Sequence, residues 1–257
     1  MLTFDTARKW IDRWDRQQEG YLPGREERFR ALIDAVEAGV DRPDPLVIDL
    51  GCGPGSLAAR LLRRLPWARV VAVDTDPLLL SLGEAGYGHT SGLRFTSLDL
   101  RTPGWSAELG LDRPADAAVS TTALHWLPEE HLRAMYKELA TVLRPGALFL
   151  NGDHLDADEA TPTLARLERA VHESEERRAF ADARPEDWRQ WWDAVLADPA
   201  LAEAGAARAR SAAAVEHHGS ESNLLSTHVA ALRDAGFEQI GTLWQRGNNR
   251  LLCAVRA

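Results

Sequence analysis

The sequence has two cysteines in 257 residues, too few for a disulfide framework or a cysteine-based zinc site. Cys52 stands in a glycine-rich stretch and Cys253 in the last apolar run, so they do not neighbour each other in sequence. Long hydrophobic runs are also missing: nowhere do 18 apolar residues follow one another, so no membrane helix and no membrane partner are expected. The first residues are charged and amphipathic and lack the apolar centre of a signal peptide, which makes cytoplasmic residence the expectation. Lysine is confined to Lys9 and Lys137, no basic run exists, and the net charge is −9, so no nucleic-acid partner is expected. Hydrophobic residues make up 45% of the chain, enough for a substantial core, and the length suits one large domain with an elaboration. Oligomeric state is not readable.

What is present is a series of apolar runs ending in acids. The run over residues 46–50 contains Asp49 and leads into Gly51-Cys52-Gly53-Pro54-Gly55, then into an Ala/Leu/Arg-rich helical pattern. That is a strand, a tight turn and a helix start, with glycine where the backbone must approach a ligand closely. A second run over 69–73 ends at Asp74, a third over 92–98 at Asp99, and further runs cover 115–119 and 146–151. Helical patterns fall between them at 54–65 and 129–143, and two more precede them at 4–17 and 24–38. Alternating strands and helices imply a parallel, doubly wound sheet. The alternation stops after residue 154: the next sixty or so residues read as two to four helices. Two final runs, 237–244 and 251–255, joined by a Gly/Asn turn, read as an antiparallel hairpin.

The glycines follow G-x-G-x-G, and Ser56 takes the place of the third glycine of a dinucleotide fingerprint. Asp49 would repel a pyrophosphate and suits a ligand carrying an ammonium group. With the later segments 115–127 and 143–150, the five motifs resemble those of the class I S-adenosylmethionine-dependent methyltransferases, the trans-aconitate type among them. The resemblance covers residues 46–154 and 221–257. It implies a Rossmann-like doubly wound α/β sheet of seven strands with a terminal antiparallel hairpin, and S-adenosyl-L-methionine as the cofactor. It places Asp49, Gly51, Cys52, Gly53 and Gly55 around the methionine half, and Asp74 with Thr75 on the ribose. Asp99 and Leu100 fall on the adenine, and Ser120 at the end of the fourth strand. Tyr21 and Arg25 are assigned to the same site. Arg25 would clamp a carboxylate of cofactor or substrate, or else pair at the surface with Glu26 or a nearby acid.

Four segments follow: an N-terminal helical cap segment (1–45), the cofactor-binding core (46–154), a helical insertion over the substrate (155–220) and the C-terminal part of the core (221–257). His125 and His154, each just past a strand end, are the candidate bases. Trp10, Trp14, Trp126, Trp188 and Trp192 are candidates for the substrate pocket, and packing of the cap is the competing role for the rings. Asp153 reads as a capping or solvated residue. Asp153 and His154 with His217 and His218 form a set of metal-ligand types, but the spacing is arbitrary and no metal is assigned. The expected activity is methyl transfer to a small molecule, either a carboxylic acid or a secondary metabolite, at an O, N or C atom. A cofactor-binding protein that does not methylate, and an NAD-dependent oxidoreductase, are the alternatives.

Overall fold

The computed structural model describes residues 2–158, 160–180, 186–211 and 223–257; the side chain of Tyr21 and residues 217–218 lie outside what is described. Two helices, α1 (Phe4–Tyr21) and α2 (Arg25–Gly39), lead into alternating elements: β1 (Leu46–Leu50), α3 (Ser56–Arg64), β2 (Arg69–Asp74), α4 (Pro77–Tyr87), β3 (Leu93–Ser97), α5 (Trp105–Glu108), β4 (Ala115–Thr121), α6 (Glu129–Val142) and β5 (Leu143–His154). Then come α7 (Pro162–Ala179), α8 (Trp188–Leu196), α9 (Ala202–Ser211) and α10 (Leu225–Asp234), and finally β6 (Phe237–Arg246) and β7 (Asn249–Arg256). The seven strands form one sheet in the order β3-β2-β1-β4-β5-β7-β6, parallel except for β7, which runs antiparallel to both neighbours.

Alternation along the strands divides the core. Leu46, Ile48 and Leu50 of β1 pack with α6 and α10 through Tyr136, Leu139 and Leu232, while Val47 packs on the other face with Phe29, Leu32, Leu57 and Leu61 of α2 and α3. A third cluster lies off the sheet, where Trp10 and Ile11 of α1, Leu78 and Leu82 of α4, and Trp191 and Val195 of α8 meet. The first helix therefore buries its apolar stripe against the insertion and α4. Trp10 Nε1 donates to Asp198 Oδ2 at 2.7 Å, tying the two segments together.

β5 is longer than its apolar run. It begins at Leu143, where α6 ends, pairs there with Ala115, and resumes at Ala117↔Leu148 after a bulge. The Arg-Pro-Gly stretch inside that bulge hides the strand from an apolar pattern. The hairpin turn is also tighter than expected: β6 and β7 pair out to Arg246↔Asn249, with Gly247 at φ 56 in the turn.

Candidate active site

A cavity of about 770 Å³ opens over the carboxyl ends of the strands, the edge at which open α/β sheets bind ligands. One end is built mostly from backbone. β1 stops at Leu50 and the chain turns through Gly51 (φ 69), whose Cβ would meet that of Ala123 at 2.3 Å. No side chain fits there, so the loops after β1 and β4 touch. Asp74, at the tip of β2, gathers the neighbouring amides: Gly53 N–H donates to Oδ2 at 2.7 Å, and Thr75 and Asp76 N–H donate to Oδ1 at 2.7 and 2.9 Å. Burial holds its carboxyl above the ordinary range, with the three amides pulling the other way. Asp76 caps α4 through the Leu78 and Leu79 amides and accepts from Arg208 Nε of α9 at 2.7 Å. Asp99, Leu100 and Arg101 line the same end, with Arg101 paired to the Asp99 carboxylate at 2.7 Å.

Asp49 lies beneath this loop, 1% exposed. Its carboxylate faces the Ala58 amide in the first turn of α3, while Oδ2 has no partner. Burial and the nearby Asp74 push its pKa up to about 7. A buried acceptor without a partner, beside a loop of glycines, fits a ligand with a cationic group.

The other end is built from side chains. His125 sits in a short 3₁₀ turn, Leu124–Trp126, after β4, with Nδ1 2.9 and 3.0 Å from the two oxygens of Asp153. Burial pushes the imidazole down, but Asp153 outweighs it and the pKa is raised. Asp153 is 1% exposed. Burial alone would raise its carboxyl, yet His125 and Arg28 hold it at about 2. Arg28, fully buried in α2, donates to Asn249 Oδ1 at 2.6 Å and to Thr122 Oγ1 at 2.9 Å. Thr122 is held at φ 54, a strained conformation for a β-branched residue, on the cavity wall. His154 lines the cavity too. Burial lowers its pKa to about 4, and its ring stands edge-on to His172 of α7 at 5.0 Å.

Residues 47–146 match the methyltransferase domain family. A trans-aconitate 2-methyltransferase from Azoarcus is 34% identical over 60% of this chain and 55% of its own length. The one from Mycobacterium ulcerans is 37% identical over 49% of this chain and 43% of its own length. The chain thus spans about half the length of the curated relatives it matches. Magnesium protoporphyrin IX methyltransferase from Synechocystis, solved with S-adenosylhomocysteine, superposes over 96% of this chain and 94% of its own, with TM-score 0.54 at 18% identity. Human N-acetylserotonin methyltransferase superposes over 89% of this chain and 51% of its own, with TM-score 0.53 at 17% identity.

Over residues 47–146 the chain is similar to the methyltransferase domain family, and it has the fold of these solved methyltransferases.

Several expected residues stand elsewhere. Trp10 does not reach the cavity; it is 3% exposed within the α1–α4–α8 cluster, because its indole N–H is committed to Asp198. Gly55 faces away, its missing side chain making room for Phe95 at 2.7 Å. Ser120 is fully buried and donates to the Leu50 carbonyl at 2.8 Å, joining β4 to β1. Asp49 lies under the loop and is absent from the cavity wall. Arg25 pairs with Asp15 at 3.1 Å, not with Glu26, and stacks over Phe29 while lining the cavity. Asp153 is no solvated cap; it is buried against His125. Gly51, Cys52, Gly53, Asp74, Thr75, Asp99, Leu100, His125, His154, Trp14, Trp126, Trp188 and Trp192 all line the cavity. Tyr21 ends α1, its side chain outside the described residues. Arg28, Thr122, His172, Glu176 and Arg208 were not foreseen. Each comes from a segment remote in sequence, and only the Ser-Thr-Thr end of β4 gave any local signal.

Proposed function

We propose that this protein is a cytoplasmic enzyme that transfers a methyl group from S-adenosylmethionine to a small molecule. The observation that carries this is a single cavity holding the glycine loop and Asp74 at one end and the His125–Asp153 pair at the other. Its volume of about 770 Å³ is in the upper range of small-molecule sites, room for a cofactor and an acceptor together. S-adenosylmethionine supplies a methyl on a positive sulfur: the acceptor lone pair forms the new bond, the carbon–sulfur pair returns to sulfur, and S-adenosylhomocysteine is released.

The chain's residues would divide the work. Gly51 and Gly53 present backbone close to the methionine half, and Asp49 beneath them adds negative charge behind the loop, which favours the ammonium end there. Asp74 anchors the ribose, while Leu98, Asp99 and Leu100 border the adenine. His125 takes the acceptor's proton, and Asp153 fixes the tautomer and stabilises the imidazolium that forms. Alignment in a closed cavity supplies most of the remaining rate. The helices α1, α8 and α9 act as a cap that excludes water, and no nucleic acid or membrane takes part. Calorimetric titration with S-adenosylmethionine and with NAD tests the reading. Micromolar binding of the first and none of the second is the expected result; the reverse would reinstate the oxidoreductase. A protein that binds S-adenosylmethionine and yields no S-adenosylhomocysteine with any of a broad acceptor set would be the non-methylating alternative.

A further inference from the structure

The acceptor end of the cavity has a composition that narrows what it takes. A planar tricarboxylate brings charges that a part-closed site can hold only by pairing each with a cation. Three arginines line the cavity among the described residues, and each is already committed: Arg25 to Asp15, Arg101 to Asp99 and Arg208 to Asp76. Arg28 lies behind the wall, with its guanidinium given to Asn249 and Thr122. His154 stays neutral down to about pH 4. Glu176 adds a further carboxylate to the wall, 3.8 Å from His172. Among the described residues the lining therefore offers a polyanion no spare cation of fixed charge.

Aromatic surface is what the cavity does offer. Trp14, Trp126 and Trp188 line it with part of their surface open, while Phe29 and Trp192 are buried behind them, under Arg25 and Arg208. Trp126 stands beside His125 with ring centres 4.6 Å apart and keeps 44% of its surface open. Trp14 and Trp192 stand edge to face at 6.4 Å, and Trp188 and Trp192 do the same at 5.8 Å. Such surfaces bind flat apolar rings by stacking and burial.

We propose that the acceptor is a planar aromatic compound of low net charge, seated between Trp126 and Trp188 with a hydroxyl directed at His125, and not a polycarboxylate. This rests on the methyltransferase reading and adds the substrate class to it. The test is a set of titrations on the full-length protein, followed by tryptophan fluorescence and calorimetry. S-adenosylhomocysteine is titrated first by itself. The probes 2-naphthol and trans-aconitate are then titrated into protein with and without it. Expected are saturable binding of 2-naphthol, at least tenfold weaker binding of trans-aconitate, and about a tenfold loss of 2-naphthol affinity in Trp126→Ala and Trp188→Ala, the size of a lost aromatic partner. Both variants should keep their affinity for S-adenosylhomocysteine, which also shows that they fold. Tighter binding of trans-aconitate than of 2-naphthol, or 2-naphthol affinity unchanged in both variants, would overturn the proposal. Failure of S-adenosylhomocysteine to bind while 2-naphthol does would instead overturn the methyltransferase reading and leave the acceptor class standing.

Discussion

The two ends of the cavity are made by different means. At the β1–β2 end the walls are main chain: Gly51 and Gly53 in left-handed conformations, and Asp74 gathering the amides of Gly53, Thr75 and Asp76. At the β4–β5 end the walls are side chains from α2, β4, β5, α7 and α8, and Arg28, Thr122, His125 and Asp153 meet only in the folded protein. A main-chain site depends on local conformation and tolerates little variation in sequence. A side-chain site can change its clientele residue by residue while the sheet beneath it stays the same. The family's shared chemistry would therefore belong to the first end, and its diversity to the second.

The strongest way to break this comparison is at the His125–Asp153 pair. His125→Ala should lower turnover roughly 10²–10⁴-fold with cofactor affinity intact, the range of a lost general base. The pH profile sharpens it. Activity should rise with pH as the imidazole loses its proton, at a pH above the ordinary histidine range because Asp153 raises the pKa. Asp153→Asn should move that rise to lower pH, and a profile that does not shift would remove Asp153 from the mechanism.

The next largest effect is on stability. His154 falls from 6.5 to about 4 on folding, so between those values the unfolded chain binds a proton that the native chain does not. Stability should be fully present above pH 6.5 and fall as the pH drops to 4, by on the order of 3 kcal/mol. Urea titrations of the wild type and His154→Gln should diverge over that window and run parallel above it. Smaller again is the effect of Asp74→Ala: about tenfold or more in S-adenosylmethionine affinity, from loss of charge-assisted bonds, with acceptor binding spared. If Asp74→Ala weakened the acceptor as much as the cofactor, the two ends would not be separable.

The subtlest effect is on the cap. Binding of S-adenosylhomocysteine should slow amide exchange in 4–30 and in part of 155–220, beyond the glycine loop itself, because Arg208 of α9 touches Asp76 next to the ribose acid. Slowing confined to the loop would make α1, α8 and α9 a passive cover.

The same division explains what could be read in advance. The sheet was legible because an apolar run ending in an acid or a glycine is a local pattern: β1, β2, β3 and β4 fall within a residue or two of their runs. The glycine loop was legible for the same reason. β5 was read short because a bulge at Arg-Pro-Gly interrupts its pattern. The acceptor end was half legible. His125 follows β4 and His154 closes β5, so both announce themselves, whereas Asp153 looks like any acid at the end of an apolar run. Arg28 is indistinguishable from the other arginines of its helix until Asn249 is brought beside it. Trp10 and Trp14 have the same spacing signal, yet one is sealed in the α1–α8 cluster and the other faces the glycine loop.

The bond between Trp10 and Asp198 also has a bearing on biosynthesis. The first helix leaves the ribosome early, but its apolar stripe must wait for α8 to be made. β5 likewise shows an open edge until β7, which lies far downstream of it in the chain, docks between it and β6. A nascent chain halted between the end of β5 and residue 198 would carry the glycine loop and Asp74 with an unclosed roof and an unpaired strand. Such a chain exposes indole rings and sheet edge together, the combination that draws chaperones or aggregates. A closed site thus waits for β7.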